Sequence, residues 1–320
     1  MKVALIGAGA VGAYFVWGFG KHEQAIVDVT ENSAAGDIAG DGTKREFVVV
    51  VEGDRKEKLS KNGLKVNGTI YHPTVCTPEE AGICDVIVVA VKSTAIREAA
   101  EMLPKIVGEN TVVMSMLNGV ESEEIIAEKI GWDHVIHSII LIASRRFPNE
   151  VIFDESYPTK ALYGALDIKN ADMKLKMVED AFKGTDIRFE RSRDIMFDEW
   201  FKYARNICNN LPQAVVCAPA AIYTRSDHGM FLAEKLWQEV RGLAKVKGVT
   251  LPEHAVIYDC ADSSRYSTLQ DIDNGRRTEV DSLCGYLMNL AAENHVEVPF
   301  IEYTYHAIKL LEEKNEGKFD

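Results

Sequence analysis

Lys2–Ile6 reads KVALI, Gly7–Gly12 reads GAGAVG, and an apolar stretch runs on from there to Phe19. A short β-branched run, a glycine-rich turn and a longer apolar segment, in that order, spell strand, tight turn and helix. Gly7, Gly9 and Gly12 fall at G-x-G-x-x-G spacing. A loop of this kind presents backbone N–H groups without side chains in the way, at a helix N-terminus whose dipole favours an anion. Gly7, Ala8, Gly9, Ala10, Val11 and Gly12 are therefore the expected cradle for a dinucleotide pyrophosphate. The apolar run after Lys2 superficially resembles a secretory leader, but glycines at phosphate-loop spacing interrupt it and no small-residue cleavage site follows. No later stretch reaches the roughly 18 apolar residues of a membrane span.

Downstream, Phe47–Val51 (FVVVV), Val86–Val91 (VIVVAV), Thr111–Met116 (TVVMSM) and Val135–Ile142 (VIHSIILI) read as buried strands, with helical stretches such as Ile96–Leu103 and Glu123–Lys129 between them. Continuous apolar strands separated by helices predict a parallel sheet covered on both faces. Lys160–Leu166 and Ile187–Glu190 are expected to complete it. The segment Lys21–Arg45 fits no expected element; Ala25–Thr30 (AIVDVT) is a second candidate for the strand that follows the glycine loop. Beyond residue 193 the pattern is helical. Leu232, Leu236, Val240 and Leu243 form one stripe, Val280, Leu283, Cys284, Leu287 and Ala291 another, and Tyr303, His306, Ala307, Leu310 and Leu311 a third, each expected to face a core. Thr278 and Asp281 have capping-box spacing and would start the helix carrying Glu279. The fold predicted is α/β: an N-terminal Rossmann-type parallel-sheet domain over 1–193, then an all-helical C-terminal domain over 194–320.

A chain of 320 residues accommodates two cores. Its 47% apolar and 27% charged residues are those of a globular protein. A formal net charge of −13 disfavours nucleic acid or an anionic membrane as partner, so an anionic ligand must be drawn in by local donors. Six cysteines, at 76, 84, 208, 217, 260 and 284, have neither CxxC nor metal-ligand spacing and point to reduced thiols in the cytoplasm. The eight histidines show no HExxH pattern, no GxSxG elbow occurs, and no metal is expected.

In a parallel sheet the ligand lies beyond the carboxyl ends of the strands. Lys92 and the pair Asn118–Gly119 fall there, although a solvated loop lysine and a plain Asn-Gly turn would look the same. In DEWFKYARNICNN (residues 198–210), Lys202, Asn206 and Asn210 stand at i, i+4 and i+8, one stripe of a helix. Asparagine is a poor helix former, so something beyond local preference retains two of them. A cation with two carboxamides can donate to a carboxylate and a carbonyl oxygen together. The plain alternative is an Asp198–Lys202 surface pair with solvated asparagines.

GAGAVG, Val91–Lys92, Leu117–Gly119 (LNG), W-x-K-x-x-x-N-x-x-x-N over Trp200–Asn210, and STLQDIDNGRRTEVD over Ser267–Asp281 together resemble the ketopantoate reductase family, in order and along nearly the whole chain. The resemblance implies a nicotinamide-dependent reductase making pantoate from 2-dehydropantoate, with its site in the cleft between two domains. Lys202 matches the family's catalytic lysine, which protonates the oxygen at C2. Asn206 and Asn210 match substrate-holding asparagines, and Asn118 one at the junction of cofactor and substrate. Lys92 matches a cofactor-side lysine, Ser267 a serine on the substrate carboxylate, and Glu279 a glutamate near the substrate hydroxyl and the lysine. A homodimer through the helical domain is also implied. One departure concerns the cofactor: the family commonly places an arginine after the second strand for the 2′-phosphate of NADPH, whereas EGDRKEKLSKNGLKVNG puts Glu52 there. A carboxylate suits the free ribose of NADH. Arg55 and Lys56 could still grip a phosphate, and if AIVDVT were the second strand, Glu31 would take the acidic role. The cofactor expected is NADPH or NADH, with Glu52 tipping the choice toward NADH.

Overall fold

A strand buried on both faces can be apolar at every position, and this is what the centre of the first unit contains. The computed structural model describes residues 1–21 and 45–319. Among the described residues, eight strands form one sheet in the order β12 (Phe189–Arg191), β11 (Lys160–Gly164), β8 (Val135–Leu141), β7 (Val107–Ser115), β6 (Cys84–Val89), β1 (Lys2–Ile6), β2 (Glu46–Val50) and β5 (Thr74–Cys76). From β8 to β5 all neighbours are parallel. β11 runs antiparallel to β8, so the sheet is mixed at this end, with β12 parallel to β11 beyond it. Successive side chains alternate between two cores. Val3, Leu5, Val49, Val86, Val88 and Met114 enter one, shared with the helix over 12–21 and with Ala171–Phe182. Ala4, Ile6, Val48, Val50, Ile87 and Val89 enter the other, shared with Ile96–Met102 and Ser122–Ile130.

Both edges of β1 are occupied, by β2 on one side and β6 on the other. The strand that follows the glycine loop beside β1 is thus Glu46–Val50, close to the expected Phe47–Val51; AIVDVT and Glu31 lie outside the described residues. A second sheet was not anticipated: β4 (Thr69–Tyr71), β3 (Leu64–Val66), β10 (Val151–Phe153) and β9 (Ser144–Arg146). Three-residue strands are too short for a periodic signal. One signal was present nonetheless: Asn67-Gly68, with φ of 46° and 85°, forms the tight two-residue turn between β3 and β4 that Asn-Gly favours. Asn67 also holds β10, donating from Nδ2 to the Phe153 carbonyl and accepting at Oδ1 from its N–H, both at 3.0 Å. Phe153 packs edge-on against Tyr14 and Trp17 of the helix after the glycine loop, with ring centroids 5.5 and 5.0 Å away.

The chain divides into two compact units, Met1–Leu117 with Ser122–Ile195, and Asn118–Glu121 with Met196–Asp320. Asp194 and Ile195 therefore go with the first unit, and four residues after β7 go with the second. Described residues of the second unit hold helices and no strands: Ile195–Val216 (whose first residue belongs to the first unit), Ala221–Arg225, Asp227–Val246, Ser267–Asp273, a π-turn at Asp281–Gly285 running into Tyr286–Glu293, and Pro299–Asn315. Leu236, Val240 and Leu243, and Val280, Leu283, Cys284, Leu287 and Ala291, are buried as their spacing predicts. The third stripe is corrected. Tyr303 and Leu310 are 64% and 55% exposed, and Ile301, Thr304, Ile308 and Glu312 face inward instead. Counting apolar residues misses this face because a carboxylate completes it: Glu312 accepts from the Thr278 N–H and hydroxyl, both at 2.7 Å. The same contact displaces the expected capping box. Thr278 is taken by Glu312, Asp281 by Tyr305 and Lys309 at 2.8 and 3.0 Å, and Glu279 precedes the helix rather than riding on it.

Candidate active site

The glycine loop connects β1 to the helix over 12–21, and its three glycines are needed for different reasons. Gly7 has φ +100°, and a Cβ there would stand 2.7 Å from the Ala90 carbonyl oxygen. A Cβ on Gly12 would meet the Gly7 carbonyl oxygen at 1.8 Å. Gly7 makes the turn and Gly12 lets helix and strand close up. Gly9 is different: beyond its own chain neighbours, the one described atom within 4 Å of its missing Cβ is Nη1 of Arg146, at 3.7 Å. The second glycine thus leaves an open cradle where a phosphate can approach the backbone, as a dinucleotide requires. The first turn of the helix ties this loop down: the Ala13 and Tyr14 N–H groups donate to the Gly9 and Val11 carbonyls, both at 3.0 Å.

Further along the same edge, Glu52 lies two residues beyond β2, as the N-terminal flank of helix Gly53–Asn62, with no side-chain cap bond. It is exposed, and Lys105 stands 3.9 Å from its carboxylate. Lys92 follows β6, is exposed, and opens a short 3₁₀ turn by accepting from the Ala95 N–H at 2.9 Å. Lys56 is engaged by Glu80.

In the second unit, helix Ile195–Val216 carries the stripe. Lys202 is half-buried; Asn206 and Asn210 are buried, at 7% and 6% exposure. The Tyr258 hydroxyl donates to Asn206 Oδ1 at 3.0 Å. With its oxygen so occupied, the Asn206 amide keeps its N–H donors for something else. The Asn210 carboxamide has no hydrogen bond among the described residues. Asn209, between them, is a clamp: Nδ2 donates to the Arg205 and Val256 carbonyls at 2.8 and 3.1 Å, and Oδ1 accepts from the Tyr258 N–H at 2.8 Å. Gln213, one turn on, accepts from the Tyr266 N–H at 3.2 Å. These two side chains, with three hydrogen bonds between them, pin the irregular segment 256–266 to the helix. They set exposed Ser267, the first residue of Ser267–Asp273, one position after an anchored residue. The Arg205 guanidinium lies 3.9 Å from the Tyr258 ring centroid.

Glu279 and Asn118, 161 residues apart in sequence, meet in this unit: Asn118 Nδ2 donates to Glu279 Oε2 at 3.3 Å. The Glu279 carbonyl accepts from the Leu283 N–H and the Ser282 hydroxyl, both at 2.9 Å, which holds its backbone in place. Tyr258 and the clamp Asn209 are residues that sequence reasoning missed. Asn209 could have been suspected as a third asparagine on a helix, but Tyr258 sits in irregular chain with no pattern to mark it. Chemically the unit offers an ammonium, carboxamide N–H donors, a hydroxyl and a carboxylate, a set able to bind an anion and protonate a carbonyl oxygen. Burial raises the Cys84 and Cys208 thiols to about 11 and about 12, so neither supplies a thiolate near neutrality. Among the described residues no three His, Cys, Asp or Glu side chains could hold a metal, and no helix is long and apolar enough to cross a membrane.

Residues 3–161 match the family described as ketopantoate reductase PanE/ApbA, and 194–312 match its C-terminal counterpart. A 2-dehydropantoate 2-reductase of Nostoc sp. is 27% identical over 98% of this chain and 96% of its own length. Among solved structures, a D-mandelate dehydrogenase with NADH and anilino(oxo)acetate superposes with a TM-score of 0.81 at 17% identity, over 99% of both chains. A dimeric ketopantoate reductase from Staphylococcus aureus does so at 0.75 and 18%, over 98% of this chain and 100% of the other.

Proposed function

The chain belongs to the ketopantoate reductase family, and from that membership we propose that it reduces 2-dehydropantoate to pantoate. The contact that carries the proposal is Asn118–Glu279, because it joins two residues named by separate motifs. A reduced nicotinamide dinucleotide, when bound, supplies the hydride that reaches C2. The loop Gly7–Gly12 would hold its pyrophosphate, and Lys92 and Asn118 are proposed as further cofactor-binding residues; the open Gly9 cradle fits such a group. Lys202 delivers the proton to the C2 oxygen, so that hydride and proton together make the alcohol. Asn206 and Asn210 donate to the keto acid, Ser267 to its carboxylate, and Glu279 accepts from its hydroxyl. For the dinucleotide itself we favour NADH. Glu52 stands beyond the strand beside β1, and of the nearby cations Lys56 is engaged by Glu80 and Lys105 by Glu79, at 2.7 Å, and by Glu52 itself. The active form is proposed to be a cytoplasmic homodimer, as the Staphylococcus aureus relative is a dimer; light scattering on the purified protein tests the assembly.

The test of function is loss of reduced-nicotinamide absorbance with ketopantoate, with 2-ketoisovalerate, which lacks the hydroxymethyl group, and with benzoylformate. The expected order of kcat/KM puts ketopantoate first, and the Glu279→Ala loss is larger for it than for 2-ketoisovalerate, because only the hydroxyl leaves an unpaired donor behind. The fold shared with D-mandelate dehydrogenase makes another 2-keto acid the second reading. Preference for benzoylformate would establish it; dinucleotide binding without turnover of any acid would make the protein a sensor.

A further inference from the structure

Two consecutive arginines close β9, and alternation along a strand sends them to opposite faces. Arg145 shares its face with Phe147 and stacks over that ring, 5.3 Å from the centroid. Arg146 points the other way, and its Nη1 comes within 3.7 Å of the place a Cβ would occupy on Gly9. This placement is built by packing. The register pairs Arg146 with Val151 across the β9–β10 hairpin, and the turn is closed by Phe147 N–H to the Glu150 carbonyl at 2.8 Å. Val151 and Phe153 of the partner strand are buried against the helix that follows the glycine loop. The small sheet is thereby docked so that its edge brings a guanidinium over Gly9, the one of the loop's three glycines whose side-chain space is open. Arg146 has no ion-pair partner among the described residues, and it is exposed.

We propose that Arg146 is a phosphate-binding residue of the dinucleotide site, clamping the pyrophosphate from the side opposite the loop's N–H groups. The inference rests on the cofactor reading above and names a residue which that reading does not include. A planar guanidinium presents paired donors that match two phosphate oxygens, and it stays charged at every relevant pH. In a chain with a net charge of −13, it is a local cation at the point where a dianion must approach. The clamp acts on the pyrophosphate common to NADH and NADPH, so it contributes equally to both and leaves their discrimination to residues near the ribose.

The experiment is calorimetric titration of the full chain, wild type and Arg146→Ala, with NADH, NADPH and ADP-ribose. Arg146→Ala is expected to weaken all three by about 10- to 100-fold, the range for charge-assisted hydrogen bonds to one group. The fall in wild-type affinity with added salt should be steeper than the variant's, a readout that a merely structural arginine would not move. Arg146→Lys should recover part of the loss, and Arg145→Ala should bind as wild type does. Unchanged affinity in Arg146→Ala, or a loss confined to NADPH, overturns the proposal while the cofactor reading stands. A wild type that binds none of the three overturns both. Should Arg146→Ala melt early, Arg146→Gln, which keeps part of the stem and a polar end but no charge, carries the same comparison.

Discussion

The glycine loop can be taken apart into a folding component and a binding component by two single methyl groups. In Gly12→Ala the new Cβ begins 1.8 Å from the Gly7 carbonyl oxygen, so at least 1.2 Å of movement is needed to reach even the 3.0 Å that real Cβ atoms respect. The obstacle is backbone, which cannot rotate aside, and the helix must lift from β1. Overpacking of this kind costs about 1–3 kcal/mol, or more where nothing can yield. For a unit of this size each kcal/mol is worth about 2–4 °C, so the apo protein should melt roughly 2–12 °C lower. In Gly9→Ala the methyl meets only the far end of Arg146 at 3.7 Å, an ordinary contact, and φ is not positive there. Its stability should stay within about 0.5 kcal/mol of wild type. Yet the methyl fills the cradle, and NADH affinity should fall at least about tenfold, equivalent to about 1.4 kcal/mol. Thermal melting of the apo proteins and NADH titration measure both effects. A Gly9→Ala that melts as early as Gly12→Ala but still binds NADH normally would refute this division.

Lys202→Ala should lower kcat by roughly 10² to 10⁴ with NADH affinity unchanged, because the proton donor and the phosphate cradle are separate groups; near wild-type turnover would exclude Lys202 as the acid. Tyr258→Phe leaves Asn206 Oδ1 without its donor, and kcat/KM should drop about 2- to 12-fold, the worth of one hydrogen bond; steady-state kinetics on folded variant decide it. Glu52→Arg should shift the ratio of kcat/KM values from NADH toward NADPH, and a wild type already strongly selective for NADPH, and little altered by the change, would move attention to Arg55. Glu239 accepts from the Phe300 and Ile301 N–H groups at 2.9 and 2.8 Å, and burial raises its pKa despite them. The folded chain then binds this proton more tightly than the unfolded one. The resulting stability is complete below the unfolded value of about 4.3 and is lost as pH rises through the folded value. Urea unfolding should therefore show wild type gaining on Glu239→Gln as the pH is lowered from 7 towards the unfolded carboxyl value, and no trend, or the reverse, would contradict the shift.

Local order in this protein is legible in the sequence wherever a physical rule acts over a few neighbouring residues. KVALI-GAGAVG specifies a strand, a turn and a helix because side-chain-free backbone and apolar runs have few other solutions, and the buried strands from Phe47 to Leu141 follow for the same reason. The stripe Lys202, Asn206 and Asn210 follows from helical geometry alone. Contacts between distant segments were settled only by tertiary packing. Glu312 faces inward because Thr278 waits there with two donors, so a stripe count that values only apolar residues selects the wrong face of Pro299–Asn315. β9 and β10 are too short to be seen singly, yet their pairing sets Arg146 over Gly9. Asn118 reaches Glu279 because four residues after β7 pack with the other unit. Periodicity reports what a residue's neighbours in sequence require; a hydrogen bond across 161 residues depends on two backbones arriving together, and no local pattern encodes that arrival.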